Sequence, residues 1–430
     1  MRINISNMQL TRNNLDTDFN SISIEPFWNF SDKKESKVHR IHSYPAKFPA
    51  FITTKAIEYA EKKGINVNLV ADIFCGCGTT AYEATRNGKD FWGCDINPVA
   101  TLIAETKSQR YSKEKLEEYF DKISANFLQY SVNVKEILEI NSRIKYWFKE
   151  KQIENLLRLK CSINKTFPVK SKYRKFFLSA FSNILKPTSV WLTKSIKPQV
   201  DPFKKPADVM ESFTKQVKMM CEANNENVLT KKTKIKIENI NFLNKKINGS
   251  FVDLIVTSPP YVTSYEYADL HQLSTLWLDF AEDYRSLREG TIGSLYHNSN
   301  FAEDIKELNK TGEKIVFQLY NYDKRKAKSA AKYFVDIQKS VYKAFDILNG
   351  NSLAFFVIGN TEYKSVRIDN AKHLAESMML AGFEDIEVIK RKISKKILTP
   401  YRDNKGKFTS NKNSRKVYAE EFIIIGAKNE

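Results

Sequence analysis

The segment "NLVADIFCGCGTTAYEATRNGKDFWGCDIN", residues 68–97, restricts the fold more than any other part of the chain. An apolar run from Leu69 to Phe74 enters a glycine turn. Helical periodicity follows from Thr79 to Asn87 and stops at Gly88, and Phe91 to Asp95 then reads as a second strand. Strand, turn, helix and strand in this order make a βαβ unit, which requires a parallel sheet covered by helices. Upstream, "VHRIHSYPAKFPAFITTKAIEYAEKKG" leads through two X-Pro steps into a helix from about Ala50 to Lys63, closed by Gly64.

The turn also has chemical content. Gly76, Gly78 and Ala81 form a G-x-G-x-x-A pattern between strand and helix. Glycines allow a sharp turn and close approach of backbone to a ligand, and the alanine lets helix pack on strand. Asp95 ends the second strand, where a carboxylate can accept hydrogen bonds from two ribose hydroxyls. The segment therefore predicts a site for a nucleoside cofactor and leaves open which one. Cys75 and Cys77 stand in the same turn, but with Cys94 and Cys161 at unhelpful spacings they read as small apolar fillers, not metal ligands.

The formal charge of +19 draws a protein toward polyanions, nucleic acid first among them, although a lysine-rich composition can arise without such a partner. Much of the excess is local. Residues 151–200 hold 11 Lys or Arg against the single acid Glu154. Five cysteines without a C-x-x-C pair argue against a disulfide scaffold and fit a reducing cytosol. No secretory signal or membrane-length apolar run is read, so the expectation is a cytoplasmic protein, associated with the nucleoid through DNA.

Four regions are expected. Residues 1–35 are a polar, irregular arm. The cofactor half covers 36–105. A lysine-rich helical insertion covers 106–235, and strand logic returns from 236 to 430. There "YFVDIQKSVYKAFDILNGN" reads as an amphipathic helix, "SLAFFVIGN" as a buried strand, and "EDIEVIKRKI" and "EEFIIIGAK" as strands able to pair antiparallel.

In "DLIVTSPPYVTSYEYADL", residues 253–270, a buried strand stops at two prolines and a tyrosine. Proline cannot extend the ladder, so Pro259 and Pro260 stiffen a turn at the strand's carboxyl end, where parallel sheets bind ligands. A rigid cluster of acceptors there suits methyl transfer to an exocyclic amine. That nitrogen is conjugated with its ring and poorly nucleophilic. Ser258 Oγ and the Pro259 carbonyl would hold its hydrogens and favour a pyramidal nitrogen, while Tyr261 would stack on a base swung out of its helix.

"DIFCGCGTT", "GCDIN" and "TSPPY", in that order, resemble the cofactor and catalytic motifs of the site-specific DNA amino-methyltransferases. "IHSYPAKFP" is similar to the segment that meets the methionine half of the cofactor in that family. The resemblance spans roughly 36–105 and 236–430. It implies an α/β class I S-adenosylmethionine-dependent methyltransferase fold, Rossmann-like, with a seven-stranded sheet and a terminal antiparallel hairpin, here carrying an inserted basic, mainly helical region. It implies that Asp72, Phe74, Gly76, Gly78 and Asp95 hold S-adenosyl-L-methionine, with Lys47 and Pro49 as further contacts. Ser258, Pro259, Pro260 and Tyr261 would form the catalytic turn. Serine as the opening residue leans toward cytosine N4 over adenine N6, and the absence of a Pro-Cys dipeptide disfavours the cytosine C5 mechanism.

For double-stranded DNA the candidate contacts are Lys172, Arg174, Lys175, Lys194 and Lys197 in the insertion, with 387–416 as a second basic region. Trp277 is expected in the core. No metal is called for. The favoured expectation is a modification enzyme with a separately encoded restriction endonuclease. Rival readings are an adenine N6-methyltransferase, an RNA amine methyltransferase, and a non-catalytic DNA-binding protein.

Overall fold

The computed structural model describes residues 8–9, 17–29, 34–45, 47–226, 233–262, 266–297, 299–363, 366–392, 401–403, 409–416 and 420–430. Its centre is an eight-stranded sheet: β1 (Met8–Gln9), β2 (Leu69–Asp72), β3 (Asp90–Asp95), β4 (Ile235–Asn239), β5 (Val252–Thr257), β6 (Leu348–Gly359), β7 (Glu384–Lys392) and β8 (Glu420–Lys428). The spatial order is β1-β7-β8-β6-β5-β2-β3-β4. Strands β2 to β6 pair in parallel, and β8 lies antiparallel between β6 and β7. From β2 the chain winds outward through β3 to β4, then returns to start β5 on the other side of β2. That reversal opens a crevice at the carboxyl ends of β2 and β5, the place where such sheets take ligands.

Alternation along the strands sorts the two core layers. Ala71, Ile255, Phe356 and Ile424 face one layer with Phe334, Ile337 and Val341 of helix Lys324–Ile347. Val70, Leu254, Val256 and Phe355 face the other, against Ile52 and Ala56 of α1 (Phe51–Lys62) and Ala81 and Ala84 of α2 (Thr79–Arg86). Helix Lys324–Ile347 begins nine residues before the apolar segment read from sequence. Its first turns are polar, and Asp323 caps them by accepting from the Lys326 N–H at 3.0 Å.

The arm differs from expectation. Its described part forms short 3-10 turns, and Met8 pairs with Val388 on β7. Trp28 is fully buried beside Tyr59 and Phe355. An otherwise open sheet edge is thereby covered. Residues 1–7, 10–16 and 30–33 of the arm lie outside the described residues, as do 393–400 and 404–408 of the second basic region.

Between α3 (Pro98–Lys107) and β4 stand the long helices Lys113–Gln129, Glu150–Thr166, Lys172–Ile184 and Val209–Asn225. Their apolar faces share one cluster, with Trp147, Phe177, Phe181 and Trp191 at its centre. Leu102 of the cofactor half and Leu273, Leu276 and Trp277 beyond the Ser-Pro-Pro-Tyr turn belong to the same cluster. A polar bridge repeats this connection: His42 Nε2 lies 2.9 Å from Ser182 Oγ, which lies 2.7 Å from Ser274 Oγ. Trp277 is 1% exposed, a core residue as expected.

Candidate active site

Strands β2 and β5 are direct neighbours, with Val70 opposite Leu254 and Ala71 opposite Ile255. The glycine turn and the Ser-Pro-Pro-Tyr turn therefore leave the sheet side by side. Asp72 ties them together. Its Oδ1 accepts from the Phe74 N–H at 3.1 Å and from Thr257 Oγ1 at 2.6 Å, and its Oδ2 accepts from Thr80 Oγ1 at 2.8 Å. The carboxylate is 1% exposed. Burial pushes its pKa up to about 6, against the pull of these three donors. Asp72 thus acts between protein groups, and no open carboxylate faces the crevice there.

Asp95 is more accessible. Its Oδ2 accepts from the Gly76 N–H and its Oδ1 from the Asn97 N–H, each at 2.8 Å. Burial raises its pKa and the two backbone donors oppose that rise. The two glycines serve different ends. Both have positive φ, +48° at Gly76 and +76° at Gly78, conformations that side chains resist. A Cβ at Gly78 would stand 2.6 Å from Ala104 Cα, so this residue admits α3. A Cβ at Gly76 would instead stand 3.7 Å from the ring of Tyr44. Phe74 is half-buried against the core.

Sequence reasoning misses Tyr44 as a site residue, although it lies within "IHSYPAKFP". Its ring stacks on His271 at 4.9 Å with 20° between planes, joining the segment before α1 to the residues after the catalytic turn. Lys47 is exposed, with Nζ donating to the His39 carbonyl at 2.5 Å, and Pro49 leads into α1. Cys75 and Cys77 are buried, and Cys77 Sγ lies 3.2 Å from the Nζ of the buried Lys107.

In the second turn Ser258 Oγ donates to the Val357 carbonyl at 2.9 Å. The Pro260 carbonyl accepts from Tyr333 Oη at 2.9 Å. Pro259 is left as the prolyl carbonyl without a protein donor among the described residues. Tyr261 packs against the core, and its hydroxyl donates to Glu421 Oε1 at 3.4 Å. Burial and then the Glu421 charge hold its phenol well above the ordinary pKa.

The basic candidates separate into two groups. Lys172 Nζ donates to the Arg110 carbonyl at 2.6 Å, Arg174 Nη2 to Asn164 Oδ1 at 2.8 Å, and Lys175 Nζ pairs with Glu105 at 2.5 Å. These three are engaged within the protein. Lys194 and Lys197 are exposed and make no ion pair among the described residues.

At Gly76 the turn presents no side chain, and it is flanked by the Asp95 carboxylate and the ring of Tyr44. The strand order and the terminal antiparallel pair are those of the class I S-adenosylmethionine-dependent methyltransferase fold. A profile of the family described as DNA methylase matches residues 3–106. The chain is 27% identical over 391 residues to the type II methyltransferase M.MvaI of Kocuria varians, covering 83% of this chain and 84% of that protein. It is 39% identical over 90 residues to the type II methyltransferase M.MjaII of Methanocaldococcus jannaschii, covering 20% of this chain and 16% of that one. A solved rRNA methyltransferase, aviRa from Streptomyces viridochromogenes, aligns at 10% identity with a TM-score of 0.29, over 80% of this chain and 92% of the other. The profile match over residues 3–106 and the fold imply S-adenosylmethionine as the methyl donor. Among the described residues no helix is long and apolar enough to cross a membrane.

Proposed function

We propose that the protein methylates the exocyclic amine of a base swung out of double-stranded DNA, with cytosine N4 as the target. We further infer that it is the modification component of a restriction-modification system, alongside a separately encoded endonuclease. The type II names of both relatives support that setting.

The observation that carries the reading is the pair of acceptors at the end of β5. Ser258 spends its proton on the Val357 carbonyl, so its remaining lone pairs can only accept. The Pro260 carbonyl is occupied by Tyr333, which leaves Pro259 to take the second amine hydrogen. Held at both hydrogens, the amine is drawn from its planar conjugated form toward a pyramidal one with a directed lone pair. Tyr261 is the stacking platform for the base. When bound, S-adenosylmethionine supplies an electrophilic sulfonium methyl. Asp95 would hold its ribose, Gly76 would admit it, Tyr44 would wall it, and Lys47 and Pro49 would meet its methionine half. Asp72 and Gly78 contribute by holding the two turns and α3 in place.

Recognition of DNA sequence is assigned to the insertion, 106–235, in which Lys194 and Lys197 are exposed. The core halves 36–105 and 236–430 supply the chemistry, with 1–35 as the arm that covers the sheet edge.

Mass spectrometry of nucleosides from DNA treated with the enzyme and donor tests the reading. N4-methylcytosine is the expected product. N6-methyladenine would replace the base assignment, and the absence of any methylated amine in DNA would remove the function.

A further inference from the structure

Glu421 is the second residue of β8, at the same carboxyl edge of the sheet as the catalytic turn. It lies opposite Gly359 on β6 and Arg391 on β7. Its Oε2 forms an ion pair with Arg391 Nη1. The two side chains are 10% and 0% exposed. Arg391 Nε donates to the Trp28 carbonyl at 2.8 Å, and its ring neighbour is Phe51, 5.7 Å from Cζ. Arg391 Nη2 is buried without a hydrogen-bond partner.

A charge pair this deep gives up hydration, and apolar residues of similar size often serve stability as well or better. Its position suggests another use. Arg391 occupies one oxygen of Glu421, and the other receives the hydroxyl of Tyr261 at 3.4 Å. The line from the Trp28 carbonyl through Arg391 and Glu421 to Tyr261 joins the arm, β7, β8 and the catalytic turn. The prolines stiffen the backbone ahead of Tyr261 but leave its side-chain torsions free. Packing against the core restricts the ring, and the contact at its far end adds a polar tether that fixes where the hydroxyl lies.

We propose that the buried Glu421–Arg391 pair is the positioning device for the Tyr261 ring, holding it ready to stack on the extruded base. The assignment rests on the reading of Tyr261 as the base platform. Glu421 and Arg391 are positioning residues and act through the tyrosine hydroxyl.

The test uses the full-length enzyme with its donor product and a duplex whose target base, located by sequencing of modified DNA, is replaced by fluorescent 2-aminopurine. Tyr261→Phe keeps the ring and deletes the tether. It should lower the extrahelical fluorescence roughly 2- to 10-fold, the net value of one hydrogen bond. Glu421→Ala should do the same, and the double variant should add nothing further, because both remove one link. Donor affinity by calorimetry should be unchanged in each, which separates positioning from a general loss of structure. If Glu421→Ala does not fold, Tyr261→Phe alone decides between the outcomes. Wild-type fluorescence in Tyr261→Phe, with loss in Tyr261→Ala, overturns the tether and leaves the platform standing. Wild-type fluorescence in Tyr261→Ala overturns the platform itself, and the positioning role with it.

Discussion

Ser258 Oγ donates to the carbonyl of Val357 at 2.9 Å, across from β5 to β6. A serine hydroxyl can donate once and accept twice, so this contact decides which role it has left. Ser258→Ala should slow methyl transfer roughly 10- to 100-fold, the range of a hydrogen bond to a group that gains positive charge in the transition state. Donor affinity should stay as it was. A single-turnover rate measured with saturating donor checks this, and an unchanged rate would show that Ser258 does not hold the amine.

Asp95→Ala should weaken donor binding, because it removes the acceptor proposed for the ribose hydroxyls. It also frees the Gly76 and Asn97 N–H groups that the carboxylate now holds. Asp95→Asn keeps an acceptor oxygen and should recover part of the affinity. Titration calorimetry with S-adenosylhomocysteine reads both, and wild-type affinity in Asp95→Ala would place the cofactor elsewhere.

Lys194→Glu with Lys197→Glu should weaken DNA binding and reduce the slope of log affinity against log salt by about 1 per lysine, since fewer counterions are released. Lys175→Glu makes a different case, because it would set a carboxylate beside Glu105 where an ion pair now stands. Its cost should appear first in thermal stability. An unchanged salt slope in the Lys194, Lys197 variant would remove this part of the insertion from the DNA interface.

Three buried histidines predict a loss of stability in mild acid. Burial lowers His42 to about 3, with the neighbouring His271 adding to the effect, and burial lowers His271 to about 4 and His373 to about 3. A depressed histidine contributes stability that is complete above its unfolded pKa and is lost as pH falls toward the folded value. At about pH 5 each should have lost on the order of 2 kcal/mol relative to neutral pH. Asp72, raised to about 6, acts in the opposite sense between its ordinary value and 6, as do Asp95 and Asp336, which burial also raises, while His39, lowered by burial, acts with the other histidines. Denaturant midpoints at the two pH values give the net sign, and equal midpoints would contradict it.

Much of the frame was legible because local periodicity and glycine punctuation determine it. The strand from Glu420 to Lys428 and the helix after the glycine turn needed only pattern. The Ser-Pro-Pro-Tyr turn was legible because two prolines admit few conformations. What escaped depends on contacts distant in sequence. Tyr44 meets Gly76 and His271 only once the segment before α1 folds over the glycine turn. Glu421 reaches Tyr261 across 160 residues. Lys172, Arg174 and Lys175 had the composition of a phosphate-binding cluster, yet their partners Arg110, Asn164 and Glu105 come from other turns of the chain. Charge counts cannot reveal such pairing.

The central claim is that Ser258 and Tyr261 work on the target amine while the Gly76 and Asp95 crevice holds the donor. The Ser258→Ala, Tyr261→Ala double variant separates the two most directly, because stacking alone accounts for roughly 1–3 kcal/mol. Transfer of labelled methyl to DNA in a single turnover, paired with donor affinity on the same preparation, is the decisive measurement. Wild-type donor affinity with transfer nearly abolished is the predicted result. Full transfer by the double variant would contradict the account.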